Sequence, residues 1–439
     1  MAFHLDYETF SVSDLKSYGA WRYASDPSTE ILLAAVCRDN GPVELWDRYA
    51  SAEANAPALA LLQDMVIEED AIVFAHNAPF ELAISYYQWE KTFGFPPPQI
   101  EQWRCTAALC RVAAIPSSLE KAALFLELDD QKDAIGKALI KVFSIPKVSK
   151  ARGDYRNHPD DDKKITVAGA KVLPRDAWNQ FRDYCIKDVV VERAIGEKLK
   201  KIELKGPQLE SFLSDMRMNV RGIPIDVDAV AKAETLINAY QEKIGERFFE
   251  LTGLKHSQTS KVLEWLRDRG YPEMNLQAGT IARITGMEVE DDEEETAPVE
   301  GAEEKPDVSR MTPEAFEVLR CRALLSFAAI KKLPTMREAT CPDGRVRGIT
   351  MWHGAIRTGR DSSKVIQIQN LKRPTINTES WTKSNGEPET HTVFRMIRDG
   401  SADMDVFDAA FGPPLECIAS AIRHFIAPKE GQFLDIDLA

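Results

Sequence analysis

Three short groups of residues have the types and spacing to do chemistry. Asp6 and Glu8 flank Tyr7 in the opening apolar run. On a β-strand, residues two apart share a face, so both carboxylates can reach one cation cluster. The second group, His76-Asn77-Ala78-Pro79-Phe80-Glu81, reads as a strand end followed by a helix start, with Pro79 in the first turn. The third, Tyr184-Cys185-Ile186-Lys187-Asp188, falls in a helical pattern. A spacing of four sets Tyr184 and Asp188 on one helix face. Taken singly, each group also suits a solvated strand, an ordinary strand–helix turn or a charged helix face. Taken together they form an all-acid set without His or Cys ligands, the donor chemistry that hard Mg²⁺ or Mn²⁺ prefers.

In this order, and on these expected elements, the groups resemble the Asp-x-Glu, Asn-x-x-x-(Phe/Tyr)-Asp and Tyr-x-x-x-Asp motifs of the proofreading 3′→5′ exonucleases. The resemblance implies an α/β, RNase H-like (DEDD) domain that hydrolyses phosphodiesters at DNA 3′ ends with two divalent ions. Such an ion pair, about 3.5–4 Å apart, activates water and stabilises charge on the departing oxygen. Asp6, Glu8, Glu81 and Asp188 would hold the ions. Tyr184 would orient the attacking water, since a phenol of pKa near 10 is a poor base at neutral pH. Asn77 and Phe80 would contact the DNA. One position departs from the pattern: the second motif ends in Glu81 where Asp is usual, and its Asn77-to-Phe80 spacing is one residue shorter. Trp103-Arg104-Cys105-Thr106, Leu119 and Gln131-Lys132 also resemble segments of phage relatives, which implies a contact of Lys132 with the substrate backbone.

The elements that must position these residues are legible as patterns. Phe3–Leu5, Ile31–Cys37 and Ala71–Ala75 are expected strands, being short and apolar between polar flanks. Pro79–Gln88, Leu119–Leu128, Ala134–Phe143 and Asp176–Leu199 carry helical periodicity. Strands interleaved with helices predict an α/β layer around a central sheet over residues 1–200. Residues 149–172, rich in Lys, Asp and Gly, are expected to form an exposed excursion. A mostly helical, thumb-like region is expected over 201–340, with helices at Gln208–Val220, Val230–Leu251 and Pro313–Lys332. The acidic, aromatic-free stretch 288–310 is expected to be a disordered linker or surface loop.

Charge is unevenly placed. The chain has 439 residues and a net charge of −14. Residues 288–307 hold eleven acids against Lys305 alone, whereas residues 317–373 hold twelve Lys/Arg and four acids. A local basic region is what phosphate contacts require, whatever the total charge. The seven cysteines are scattered without metal-ligand spacing, which argues against a disulfide framework and for a reducing, cytoplasmic setting in a bacterium or phage-infected host. No run is long and apolar enough to suggest a membrane partner, and the N-terminus lacks the pattern of a signal peptide.

Three later segments extend the resemblance to family A DNA polymerases of the phage type. Asn219-Val220-Arg221-Gly222-Ile223-Pro224-Ile225-Asp226 resembles the opening of the thumb side. Thr358-Gly359-Arg360-Asp361-Ser362-Ser363, with Gln369-Asn370 and Arg373 following, resembles the palm segment that contacts primer–template; this implies DNA contacts by Arg360, Gln369, Asn370 and Arg373. The stretch Phe433-Leu434-Asp435-Ile436-Asp437 resembles the approach to the first polymerase motif, so Asp437 would be one metal ligand of a partial polymerase site in an incomplete α+β palm over 341–439. A two-metal transfer site needs a second carboxylate strand that this stretch does not supply. The expectation is an N-terminal polymerase piece with DNA as partner, completed by a separate C-terminal polymerase fragment. A stand-alone 3′→5′ exonuclease akin to RNase D and a catalytically silent DNA-binding or assembly subunit are the competing readings.

Overall fold

The computed structural model of the chain describes residues 1–128, 135–149, 153–286, 307–327, 329–376 and 389–426. These fall into two compact units, residues 1–223 with 339–368 and residues 224–338 with 369–439. Residues 341–368, which the sequence groups with the palm-like stretch, and residues 201–223 and 339–340, expected in the thumb-like region, cluster with the first unit. The greater part of the expected disordered linker, residues 288–306, lies outside the described residues.

The first unit is built on a mixed five-stranded sheet. Strand β1 (Ala2–Phe10) is central and pairs antiparallel with β2 (Glu30–Arg38), which in turn pairs antiparallel with β3 (Glu44–Asp47). On its other side β1 pairs parallel with β4 (Ile72–Ala75), and β4 pairs parallel with β5 (Trp103–Cys105). The strand order is thus β3-β2-β1-β4-β5. Alternation along β1 sends Phe3, Leu5 and Tyr7 into one core, together with residues of α2 (Ala52–Ile67), α3 (Ala78–Ile84) and α4 (Thr106–Val112). The opposite sheet face receives Leu33, Ala35 and Cys37 of β2. It packs against α5 (Gly136–Phe143) and α6 (Pro174–Leu199) through Phe143, Trp178, Phe181 and Val189. Helix α1 (Leu15–Ser25) is capped by Asp14, which accepts from the Lys16 amide, and it is broken at Gly19 (φ 81°).

The sequence patterns locate the three expected strands; β3 has an acid at each end and β5 has only three residues, so neither makes an apolar run. The helical run expected over Pro79–Gln88 is present and longer: α3 continues through a single π-turn, Ser85–Trp89, into a last α-turn, Glu90–Phe93. Residues 149–172 are not wholly the exposed excursion expected from composition. Ile165–Val167 pairs antiparallel with Ala170–Val172, and Ile165 and Val167 are buried in the core beneath α6. The two-residue apolar alternation there is hidden among Lys and Asp.

Helix α7 (Gly206–Arg221) belongs to the first unit; the second unit is helical, and α8 (Val227–Thr252) is the longest of its described elements. Asp226 caps α8 by accepting from the Ala229 amide at 2.9 Å, and Gly253 ends it in the left-handed region. Phe248 of α8 shares a core with Val262 and Leu266 of α9 (Thr259–Arg267), Ile281 of α10 (Ala278–Thr285) and Val318 and Leu319 of α11 (Pro313–Leu325). The expected helix to Lys332 stops at Leu325, where Ser326 closes the last turn onto the Arg322 carbonyl. No described helix is long and apolar enough to cross a membrane.

A pH dependence arises in this unit. His424 shares a 3.0 Å hydrogen bond with Thr390 Oγ1, and burial, followed by the nearby His391, holds its imidazole below the ordinary histidine range. A depressed folded value means that the unfolded chain binds the proton first as pH falls. Stability is then complete above pH ~6.5 and declines below it, by at most about 1.4 kcal/mol per pH unit for one proton. Denaturant titrations at pH 7.5 and 5.5 should show this loss, and His424→Gln should flatten it.

Candidate metal centre

The alternation that buries Phe3, Leu5 and Tyr7 of β1 turns Asp6 and Glu8 to the face covered by α6. The β1–β2 register shifts between Glu8 and Thr9, at the end of this pair. Helix α6 starts with Pro174 in its first turn and carries Asp176 there, both favourable at a helix N-terminus. Its 26 residues bring Tyr184 and Asp188, one turn apart, over the sheet. One carboxylate oxygen from each of Asp6, Glu8 and Asp188 lies within 4.8 Å of the others. Glu8 and Asp188 are buried and Asp6 is half-buried. Three carboxylates so close repel by about 3 kcal/mol per pair at an effective dielectric of about 20. A divalent cation removes that repulsion.

Glu81 stands outside this trio but belongs to its electrostatics. Asn77 precedes α3 in the left-handed region (φ 75°), Pro79 occupies the first turn, and Glu81 follows on the buried side of the helix. Glu81 is 3% exposed, and its Oε2 finds no hydrogen-bond partner. Burial and then the charge of Asp6 push its carboxyl well above the ordinary range. A buried carboxylate oxygen without a donor costs free energy unless a cation meets it. This unpaired oxygen, next to an all-oxygen trio, fits hard divalent ions.

Tyr184 is buried, and its phenol is pushed far up by burial first and then by Glu8, Asp188 and Asp6, with a side-chain hydrogen bond to Asp188 acting in the same direction. It therefore remains a protonated donor at neutral pH. The ring has an unexpected neighbour: a Cβ on Gly136 of α5 would lie 2.0 Å from Tyr184 Cε2. Only glycine fits at that point. Sequence reading passes over Gly136 because its requirement comes from a residue nearly fifty positions away.

A second buried pair joins the same strand and helix. His4 Nδ1 and Glu192 Oε2 are 2.6 Å apart and both side chains are buried. His4 lies two residues before Asp6 on the strand, and Glu192 lies four after Asp188 on the helix. The strand and helix periods that pair Asp6 with Asp188 thus also pair these two. That signal was available in the sequence.

The other expected site residues are placed as follows. Asn77 is exposed and Phe80 half-buried at the start of α3. Arg360 opens β7 (Arg360–Ser363), which forms a hairpin with β6 (Thr350–Ala355) in the first unit. Gln369, Asn370 and Arg373 are exposed in the second unit, where the Asn370 carbonyl accepts from Lys332 Nζ. Lys132 and Asp437 lie outside the described residues.

Comparison with known proteins gives one curated relative and a set of solved structures; no family model matches. A DNA polymerase of Bacillus phage SP02 is 33% identical over 431 residues, 97% of this chain. The chain spans about 58% of that relative's length. Among solved structures, the POL domain of Pol1 from M. smegmatis, in complex with DNA primer-template and dNTP, is 13% identical with a TM-score of 0.42. That match covers 85% of this chain and 53% of the other.

Proposed function

We propose that the chain, similar over 97% of its length to a phage DNA polymerase, belongs to the family A-type DNA polymerases, and that its first unit is an RNase H-like 3′→5′ proofreading exonuclease attached to polymerase sequence. The observation that carries this reading is the convergence of Asp6, Glu8 and Asp188 on one face of the central strand, with Glu81 and Tyr184 against them. Asp6, Glu8, Glu81 and Asp188 would hold two divalent ions, Mg²⁺ or Mn²⁺. These ions supply activation of water and neutralisation of charge on the departing 3′ oxygen.

The chain's own residues have separable tasks. Tyr184, kept protonated, donates or accepts through its hydroxyl to orient the attacking water, and its hydrogen bond to Asp188 fixes the ring. Asn77 and Phe80 hold the terminal nucleotides of the strand, the amide by hydrogen bonding and the ring by stacking. The basic region that includes Arg360 and Arg373 engages primer–template phosphates together with Gln369 and Asn370. Asp437 is assigned to a polymerase metal site. DNA replication is the setting.

The test is degradation of a 5′-labelled single-stranded oligonucleotide with Mg²⁺ or Mn²⁺. A ladder shortening from the 3′ end and abolished by EDTA is expected. Intact substrate at enzyme excess would overturn the exonuclease reading. Tight binding of primer–template without cleavage would then favour the DNA-binding alternative.

A further inference from the structure

The first unit holds a cavity of about 420 Å³ beside the turn that carries Asn77 and Phe80. Its polar wall is cationic. Arg111, near the end of α4, is 5% exposed and gives Nε to the Trp352 carbonyl at 3.0 Å. No carboxylate of the described residues lies within ion-pair distance of its guanidinium. Asp215, the buried acid that also lines the cavity, is already occupied. Thr350 Oγ1 donates to its Oδ1 at 2.6 Å, and Asn219 Nδ2 donates to its Oδ2 at 3.0 Å. Lys364 lines the same space; desolvation and then the charge of Arg111 hold its ammonium below the ordinary lysine range.

Two cations share the charge of one acid, Asp215, whose oxygens are taken by Thr350 and Asn219, so the wall keeps an excess of positive charge that suits an anion. The remaining wall is aromatic, with Trp21 of α1 and Phe80 of α3. The place of Trp21 depends on Gly348 (φ 66°), where a Cβ would lie 2.7 Å from Trp21 Cδ1. Cations beside aromatic faces are the combination that takes a phosphate together with a stacked base. The volume is of the size of small-ligand sites.

We propose that this cavity is a subsite for one nucleotide unit, with its phosphate between Arg111 and Lys364 and its base against the half-buried ring of Phe80. The inference rests on the nucleic-acid reading above for the class of anion, and not on hydrolysis. None of Asp6, Glu8, Glu81 or Asp188 belongs to the cavity wall. Binding here needs no divalent ion.

The experiment is calorimetric titration of the full chain with dTMP in EDTA, where the nuclease is silent. Saturable binding is expected, weakened at least tenfold by Arg111→Gln and by Lys364→Ala. The second variant changes a residue outside the core and keeps the test valid should the first fail to fold. Affinity unchanged in Lys364→Ala, inorganic phosphate binding as tightly as dTMP, or no binding at millimolar dTMP would each overturn the assignment. Competition with a short oligothymidylate identifies the source of the nucleotide. Displacement of dTMP places a unit of the strand in the cavity, and failure to displace it makes a free mononucleotide the occupant. An inactive nuclease that still binds dTMP would sink the exonuclease reading alone.

Discussion

Asp188→Asn is expected to slow 3′-end hydrolysis about a thousandfold, about 4 kcal/mol of barrier, while leaving the metal-free protein at least as stable as the parent. The two effects have one cause. Asp188 shares a 4.8 Å cluster with Asp6 and Glu8, and each buried carboxylate raises the electrostatic free energy of the others. Asn keeps the shape and removes the charge, so repulsion falls in the absence of metal. The same loss removes a donor to divalent ions. Mg²⁺ or Mn²⁺ should therefore raise the melting temperature of the parent, by up to about 2.7 kcal/mol of stabilisation at a hundredfold excess over Kd, and should stabilise the variant much less. Oligonucleotide degradation and melting curves with and without Mn²⁺ read both outcomes. A variant that cleaves at the parental rate would show that the cluster is not the catalytic centre.

Gly136→Ala is expected to lower kcat by one to two orders of magnitude with little change in KM. A Cβ there would meet the Tyr184 ring at 2.0 Å, a distance that no small adjustment accommodates. Either α5 moves away from α6 or the phenol rotates off Asp188. Overpacking of this kind costs about 1–3 kcal/mol of stability, which a melting curve detects. The catalytic loss goes beyond that cost, because an orienting group displaced by an ångström no longer holds water on line. The discriminating comparison is Tyr184→Phe, which removes the hydroxyl but not the ring. If displacement of the hydroxyl is the cause, adding Gly136→Ala to Tyr184→Phe should cost little further activity. A large additional loss would place the effect of Gly136 in the fold instead.

The positions of Asp6, Glu8, Tyr184 and Asp188 were legible because each depends on local geometry. A two-residue period turns both acids of β1 to one side, and a four-residue spacing stacks Tyr184 over Asp188 on α6. The same periods reach His4 and Glu192, whose pairing follows once the strand and the helix are known to face each other. Glu81 was legible as a motif position. Its burial with an unpaired oxygen was not, because that depends on how α3 enters the core. Composition misjudged 149–172, where two buried residues in a short hairpin outweigh many charges at the surface.

Local pattern along the chain was enough for the strand–helix alternation of the first 200 residues, the helical character that follows and the identity of the acids. Tertiary structure alone decided what surrounds them. It grouped residues 339–368 with the first unit, set Gly136 against Tyr184, and placed Arg111 and Lys364 around one acid, Asp215, that bonds to Thr350 and Asn219. The physical reason is range. Strand and helix periods fix the direction of a side chain from its near neighbours. Contact and desolvation depend on residues brought close only when distant elements pack.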